Sequence, residues 1–212
     1  MQLIGMLDSP YVRRVAIALI IAKTPFIHRP ISLFRHIDQF SRLNPLLKAP
    51  TLLTDDGAAL MDSSVILDYL AGVDPRIQAL SPAKAPERLA ALRTTGLALT
   101  VMEKSVQRHY ERMLRPAEKQ HEPWVERVMG QLTAGLSALD AELPGSGWIG
   151  GDLGLADITV VCAFGFTHSV LADVVAMSRY PNLGAFCARA EALPAFRAAP
   201  PEDGATASAI GD

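Results

Sequence analysis

Short apolar runs and helically spaced apolar residues alternate along roughly the first 70 residues of the chain. Residues 2–7 are mostly apolar and predict a strand. In residues 12–20 the apolar positions recur every three or four residues, which predicts a helix with Pro10 in its first turn and Ser9 or Asp8 as its N-cap. Arg13 and Arg14 fall on the other face of this helix, outside the apolar stripe.

Further elements complete this first segment. Residues 26–31 predict a second strand, and residues 34–43 predict a weak helix or loop. Residues 50–53 and 58–61 flank the turn sequence Thr-Asp-Asp-Gly and predict a hairpin, after which Asp62 and Ser63 begin another helix. A helix between the first two strands makes them parallel. The order β-α-β-α-β-β-α therefore predicts a mixed four-stranded sheet with helices on its faces.

The pattern beyond residue 74 is helical. Three prolines predict a linker over residues 75–86 after a first domain at 1–74. An all-helical bundle domain is expected over 87–199, with helices over 87–114, 125–143, 155–171 and 182–192. The candidate core positions of the first of these helices are Leu89, Leu92, Leu99, Val106, Tyr110 and Met113. Residues 200–212 are rich in Ala, Gly and Pro and are expected to be a disordered tail.

Composition narrows the class of function. Hydrophobic residues make up 50% of the 212 residues, which supports a sizeable core, and a net charge of −2 with 6% aromatic residues argues against a nucleic-acid partner. The N-terminus lacks the pattern of a signal peptide, and the most apolar segment is too polar to span a bilayer, so no membrane partner is expected. Cys162 and Cys187 and the scattered histidines show no metal-ligand spacing. We therefore expect no metal site and a reducing, cytoplasmic location.

The most informative segment is Ser9-Pro10-Tyr11-Val12, at the junction of the first strand and helix. Thioredoxin-like folds keep their active site at this junction, and a glutaredoxin has Cys-Pro-Tyr-Cys there. Because Ser9 and Val12 replace both cysteines, dithiol–disulfide exchange at this site is excluded. A hydroxyl at a helix N-terminus favours an anion, although Ser9 as a simple cap is the alternative.

Two further features occur in the same segment. Pro50 opens a strand and is similar to the cis-proline of thioredoxin-like folds, which would turn the backbone of Ala49 toward an extended peptide ligand. Asp62 and Ser63 begin a helix, where they either act only as a cap or hold the ammonium and carboxylate of an α-amino acid such as a γ-glutamyl group.

Taken together, these motifs make the chain resemble the glutathione S-transferases. Residues 1–70 are similar to their N-terminal domain, and the helical remainder, with Gly154-Leu155-Ala156-Asp157-Ile158 opening its central helix, to their C-terminal domain. The resemblance implies a homodimer that uses glutathione as a co-substrate, with no tightly bound cofactor. It implies Ser9 as the catalytic hydroxyl, with Tyr11 as a second candidate. It implies glutathione-binding positions at Ser9, Pro10, Lys48, Ala49, Pro50, Asp62 and Ser63, with His36 and Arg35 as weaker candidates.

The function predicted from this resemblance is activation of the glutathione thiolate for attack on a small electrophile. The alternatives are a glutathione-dependent isomerase, dehalogenase or peroxidase on the same fold, or a non-catalytic interaction protein. Arg108, His109, Arg112 and Arg115 form a basic strip on the long helix. We interpret this strip either as a solvated face or as a site for an anionic or polar second substrate.

Overall fold

The structure is a computed structural model that describes residues 1–201 and Thr206. The chain divides into two compact units: Met1–Ala83 together with the chain from Glu191 onward, and Lys84–Ala190. The first unit begins with strand β1 (Gln2–Ile4), helix α1 (Pro10–Ile21), strand β2 (Ile27–Arg29) and helix α2 (Ile37–Ser41). It continues with strands β3 (Thr51–Leu53) and β4 (Ala59–Met61) and helices α3 (Ser63–Val73) and α4 (Pro75–Gln78).

The strands form one mixed sheet in the described part of the chain, in the order β2-β1-β3-β4. β1 pairs with β2 in parallel and with β3 antiparallel, and β3 pairs antiparallel with β4. Ile4, Ile31 and Phe40 form a buried cluster that fixes α2 against the sheet. The predicted β-α-β-α-β-β-α order and mixed four-stranded sheet are confirmed.

Arg13 and Arg14, which fall outside the apolar stripe of α1, are nevertheless buried, at 2% and 3% exposure. Arg13 donates to both carboxylate oxygens of Glu191 at 2.6 and 2.7 Å, and through Nε to the carbonyl of Ala199 at 2.7 Å. Helix α9 (Pro194–Arg197) also packs on α1. These contacts explain why residues after 190 belong to the first unit, whereas the sequence placed residues up to 199 in the helical domain.

The second unit is helical. It begins with the long helix α5 (Ala85–Leu114), a 3-10 turn (Ala117–Lys119) and helix α6 (Glu122–Glu142). Helix α7 (Leu155–Leu171), a second 3-10 turn (Met177–Arg179) and helix α8 (Pro181–Glu191) follow. The last residue of α8 belongs to the first unit. Helix α4 occupies part of the segment predicted as a linker. Most of the predicted tail, at 202–205 and 207–212, lies outside the described residues. Within the described residues no helix has the length and apolar character that crossing a membrane requires.

The inner face of α5 differs from the predicted one. Leu89, Leu92 and Met113 are 72%, 57% and 65% exposed. The buried positions are instead mostly small: Ala91, Thr94, Ala98, Val101, Met102 and Ser105, with Glu111 near the C-terminal end. Small side chains let α6 and α7 approach closely. An ideal Cβ on Gly135 of α6, for example, would lie 2.8 Å from Val101 Cγ2. The apolar pattern alone does not reveal a face built from small residues.

Asp157 anchors the start of α7. Its side chain is fully buried, and its two oxygens accept hydrogen bonds from the backbone N–H groups of Ile149 at 2.9 Å and Gly154 at 2.8 Å. Burial raises the pKa of Asp157 to about 6, although these hydrogen bonds and the charge of Arg189 oppose the rise. The Gly154–Ile158 motif therefore stabilises the start of α7.

This pKa predicts that Asp157 makes stability depend on pH. The folded state binds the proton of Asp157 more tightly than the unfolded chain does, since the unfolded pKa is about 3.9. The contribution of Asp157 to the free energy of unfolding is therefore full below pH 4 and falls as pH rises through about 6, by on the order of 3 kcal/mol in all. Urea unfolding of wild type and Asp157→Asn at pH 5 and pH 7.5 isolates this group, and equal pH dependence in both proteins would contradict the assignment.

Candidate functional site

The sheet register brings three of the predicted site segments to one edge of the first unit. Thr51 pairs with Ile4 and with Met61, so the carboxyl ends of β1 and β4 lie beside the amino end of β3. The segment 5–9, the dipeptide Ala49-Pro50 and the dipeptide Asp62-Ser63 directly adjoin these strand ends. Residues that are far apart in sequence thus meet at a single sheet edge.

Gly5 shows how closely these segments approach each other. It has φ +136°, and an ideal Cβ there would lie 2.6 Å from Val12 Cγ2 and 3.1 Å from Ala49 Cβ. A real side chain at this position would clash with the first turn of α1 and crowd the loop before β3. Glycine therefore permits α1 and Ala49 to face the same point.

Ser9 is the N-cap of α1. Its φ and ψ of −73° and 120° are extended, and its Oγ accepts a hydrogen bond from the N–H of Val12 at 3.4 Å. The hydroxyl proton is not needed for this cap, so it remains able to donate to a ligand. The half-buried hydroxyl lies at the positive end of a 12-residue helix, which favours an anion next to it.

The Ala49–Pro50 peptide bond is cis, as the resemblance implied. Buried Asn44 holds the loop that leads to it: its Nδ2 donates to Thr51 Oγ1 at 2.9 Å, and its Oδ1 accepts from the N–H of Leu46 at 3.0 Å. Thr51 Oγ1 in turn donates to the carbonyl of Lys48 at 2.7 Å. Hydrogen bonds on both sides of Ala49 thus fix the backbone that would face a peptide ligand.

Asp62 and Ser63 begin α3. Asp62 is exposed and has φ +69°, an uncommon conformation for a residue with a side chain, and its Oδ1 accepts from the N–H of Ser64 at 2.8 Å. Ser63 is buried, and buried Arg14 donates through Nη1 to the hydroxyl oxygens of Ser63 at 3.0 Å and Ser64 at 3.1 Å. Because the Ser63 oxygen accepts from a guanidinium, its own proton is directed toward another acceptor.

The weaker candidates differ in their placement. Lys48 is exposed and lies next to Ala49, whereas exposed His36 bonds within its own loop, where its Nδ1 accepts from the N–H of Ser32 at 3.2 Å. Arg35 is exposed in the same loop, and its N–H donates to Ser32 Oγ. Tyr11 is half-buried in the first turn of α1, two residues after Ser9.

Three positions with a role at this edge were not predicted: Gly5, Arg14 and Asn44. A glycine at the end of an apolar strand and an Asn-Pro pair are both recognisable signals of a close approach or a turn. The signal for burial of Arg14 was weaker: Arg13 and Arg14 are the only charged side chains in α1. A helix with so little polar surface has no solvent face on which to place its arginines.

Two family models match the chain. Residues 3–76 match the glutathione S-transferase N-terminal domain, and residues 122–189 match the glutathione S-transferase C-terminal domain. The first match contains all of the sheet-edge segments described above. The second contains α6 and α7 and nearly all of α8.

Solved structures and a curated relative agree with these matches. A glutathione S-transferase from Methylobacterium radiotolerans in complex with glutathione sulfonate is 30% identical, with a TM-score of 0.85 and 92% of each chain covered. A glutathione S-transferase from Methylobacillus flagellatus with GSH bound is 27% identical, with a TM-score of 0.85 over 95% of this chain and 99% of that one. The maleylacetoacetate isomerase of Pseudomonas aeruginosa is 28% identical over 89% of this chain and 90% of its own.

Proposed function

Because the chain belongs to the glutathione S-transferase family, we propose that it is a cytoplasmic enzyme that binds glutathione at the sheet edge of its first unit and activates the thiol for attack on a small electrophile. The observation that carries this proposal is the convergence of Ser9, Ala49-Pro50 and Asp62-Ser63 on one edge. The structures of similar chains that hold glutathione sulfonate and GSH support it.

Each part of glutathione has a suitable partner at this edge. The backbone of Ala49 before the cis-proline pairs with the cysteinyl residue as an added strand would. The Ser63 hydroxyl and the backbone N–H groups in the first turn of α3 donate to the γ-glutamyl carboxylate, and Asp62 accepts from the neighbouring ammonium. His36 and Arg35 are the candidates for the glycyl carboxylate, and Lys48 lies next to Ala49. The cysteinyl sulfur then lies toward Ser9.

Thiol activation follows from the position of Ser9. A free thiol has a pKa of about 8.5, so only a few per cent is thiolate at neutral pH. The hydroxyl of Ser9 donates a hydrogen bond to sulfur, and the N-terminus of α1 adds favourable potential, so both stabilise the thiolate and lower the pKa of the thiol. Ser9 keeps its own proton throughout, because it stabilises charge and does not act as a base.

Retention on immobilised glutathione, followed by a conjugation assay on a panel of electrophiles, tests this proposal. We expect the chain to be retained, to be eluted by free glutathione and to form conjugates at a rate above the uncatalysed reaction. A chain that flows through the column and forms no conjugate would instead support a non-catalytic interaction protein.

A second candidate function is isomerisation of an unsaturated substrate, with glutathione added and then released. The similarity to the maleylacetoacetate isomerase of Pseudomonas aeruginosa over nearly the whole chain favours it. Conjugation consumes glutathione, whereas isomerisation returns it unchanged. Measurement of free thiol during turnover of a cis-unsaturated substrate therefore separates the two reactions.

The proposed γ-glutamyl contacts give a testable prediction. Asp62→Ala and Ser63→Ala should each weaken glutathione binding by roughly 1.5–3 kcal/mol, because each removes one charge-assisted contact remote from sulfur. Substrate and transition state lose that contact alike, so KM for glutathione rises while kcat changes little. Asp68→Ala, which removes another exposed carboxylate from α3, is the matched control. Unchanged glutathione affinity in both site variants would refute the assignment.

We also propose a homodimer. The exposed apolar residues Val65, Tyr69 and Val73 follow one stripe of α3, at 52%, 39% and 59% exposure, and Leu89 and Leu92 lie close together on α5. Such stripes are typical of surfaces covered by another chain, and the family resemblance implies a second copy.

We expect wild type to sediment as a dimer at micromolar concentration and Tyr69→Glu to shift it toward monomer, since the substitution would bury a charge in the interface. Val174→Glu, on an apolar side chain exposed elsewhere, should leave the dimer intact. A monomeric wild type under these conditions would contradict this proposal without affecting the glutathione site.

A further inference from the structure

A side chain continues the hydrogen bonding between β1 and β2 past the end of β1. The last pair of the two strands is Ile4 with Arg29. Gly5 follows, and its N–H still donates to the carbonyl of Arg29 at 3.1 Å. The carbonyl of Gly5, however, has a side-chain partner, because it lies 2.8 Å from Nε2 of His28 on β2. Both backbone groups of Gly5 are therefore held by β2.

The protonation state of His28 follows from its two contacts. Its Nδ1 lies 3.0 Å from the backbone nitrogen of Thr206, and a backbone N–H only donates, so Nδ1 carries no proton. The carbonyl of Gly5 only accepts, so the ring proton is on Nε2. Burial lowers the pKa of half-buried His28 from its ordinary value of about 6.5, although the bond to Gly5 opposes this shift. The ring is therefore neutral at physiological pH, in the tautomer that donates to Gly5.

The peptide group that His28 holds leads directly to Ser9. The carbonyl of Gly5 and the N–H of Met6 lie in one rigid plane, so the bond to His28 fixes the orientation of both. The next carbonyl, that of Met6, accepts from the N–H of Ser9 at 3.2 Å. Two hydrogen bonds and the short chain between them thus link the ring of His28 to the N-cap of α1.

Gly5 depends on this support because a glycine has little conformational preference of its own. It is buried, and its φ of +136° lies in a region that glycine adopts freely. Without the proton on Nε2 of His28, the buried carbonyl of Gly5 would lose this hydrogen bond, which is costly. Rotation of the peptide between Gly5 and Met6 would then be favoured if it found another donor. The ring of His28 therefore selects one orientation of this peptide.

We propose that His28 is a positioning residue for the glutathione site, since it holds the carbonyl of Gly5 and, through it, Ser9 at the start of α1. The N–H of Thr206, which is 178 residues away in sequence, keeps the ring in the tautomer that performs this role. The link from His28 to Ser9 stands on the hydrogen bonds of the first unit. Its effect on the thiol of glutathione rests on the proposed function.

The first test reads the tautomer of His28. Long-range proton–nitrogen correlation spectra distinguish a protonated from an unprotonated ring nitrogen, and we expect the proton on Nε2 at pH 7.5. Thr206→Pro removes the N–H donor and should give the Nδ1-protonated form a larger population, whereas Thr206→Ala keeps the donor and should match wild type. A proton on Nδ1 in wild type would overturn the proposal. Equal tautomer populations in the two variants would overturn the role of Thr206.

The second test measures the thiol of bound glutathione. His28→Phe keeps a ring but removes the donor, so the pKa of the thiol in the complex should rise toward the free value. At saturating glutathione, kcat at neutral pH should fall by about threefold to thirtyfold, with a smaller change in Kd for glutathione. His28→Gln keeps an N–H donor and should recover part of the loss. Ile27→Thr, at an exposed neighbour on β2, should match wild type.

A merely structural role for His28 gives a different result. It would lower the melting temperature of His28→Phe and leave the pKa of the bound thiol and kcat of the folded protein unchanged. That result, together with a thiol pKa that does respond to Ser9→Ala, would overturn this inference and keep the proposed function. If His28→Phe does not fold, His28→Asn replaces it, because its shorter side chain does not extend to the Nε2 position.

Hydrogen exchange of the Ser9 amide separates the inference from the proposed function, because it needs no glutathione. We expect this amide to exchange about tenfold faster in His28→Phe and at the wild-type rate in Ile27→Thr. A wild type that binds no glutathione but shows this difference would overturn the proposed function and support the link from His28 to Ser9. Equal exchange rates in all three proteins would overturn the link itself.

Discussion

Replacing Ser9 by alanine should lower turnover at neutral pH by about 10- to 1,000-fold while glutathione binding changes by only a few-fold. The substitution removes a donor to the sulfur anion but leaves the contacts at Ala49, Asp62 and Ser63 in place. Raising the pH should recover part of the lost rate, because bulk base then forms the thiolate. The measurement is kcat and KM for glutathione as a function of pH with one fixed electrophile.

Matched variants separate the hydroxyl of Ser9 from its role as a helix cap. Ser9→Thr keeps the hydroxyl and should retain most activity, whereas Tyr11→Phe removes the other candidate hydroxyl and should have little effect. Ser9→Cys should instead form a mixed disulfide with glutathione and gain thiol-transfer activity. If Tyr11→Phe gave the larger loss of turnover, Tyr11 would replace Ser9 as the activating group.

Gly5→Ala should destabilise the first unit by about 2–5 kcal/mol and weaken glutathione binding. The new Cβ would lie 2.6 Å from Val12 Cγ2 and 3.1 Å from Ala49 Cβ, so it pushes α1 away from the loop that carries the cis-proline. Chemical denaturation measures the stability, and titration with glutathione measures the affinity.

Gly57→Ala is the matched control for this effect. Gly57 also has a positive φ, of +90°, but nothing lies within 4 Å of its ideal Cβ. Its substitution therefore introduces backbone strain without a close contact and should cost about 1–2 kcal/mol with unchanged affinity for glutathione. Equal losses of stability and affinity in the two variants would show that the approach of α1 to Ala49 has no special role.

The order of helices and strands was predictable because the spacing of apolar residues indicates each element and Pro, Gly and Asp residues indicate where it ends. The limits of α7, the N-cap at Ser9 and the hairpin between β3 and β4 all agree with the sequence pattern. These features depend on neighbours in sequence, and the hydrogen bonds that define them form within a few residues. The cis bond at Ala49–Pro50 was expected from resemblance and not from local pattern.

Long-range packing was less predictable. Arg13 and Arg14 lie outside the apolar stripe of α1, yet their partners come from Glu191 and from Ser63 and Ser64, far away in sequence. The inner face of α5 is built from small residues, which carry a weak hydrophobic signal. In both cases, burial depends on contacts between elements that are far apart in sequence, and the local pattern of residues does not predict such contacts.

The proposed function requires that Ser9 at the sheet edge stabilises the thiolate of bound glutathione. Thiolate absorbance of the glutathione complex, titrated against pH for wild type and Ser9→Ala, tests it most directly. We expect a wild-type midpoint below the value of about 8.5 for a free thiol and a shift back toward that value in Ser9→Ala. Two titrations that coincide would contradict it and leave Ser9 as a helix cap alone.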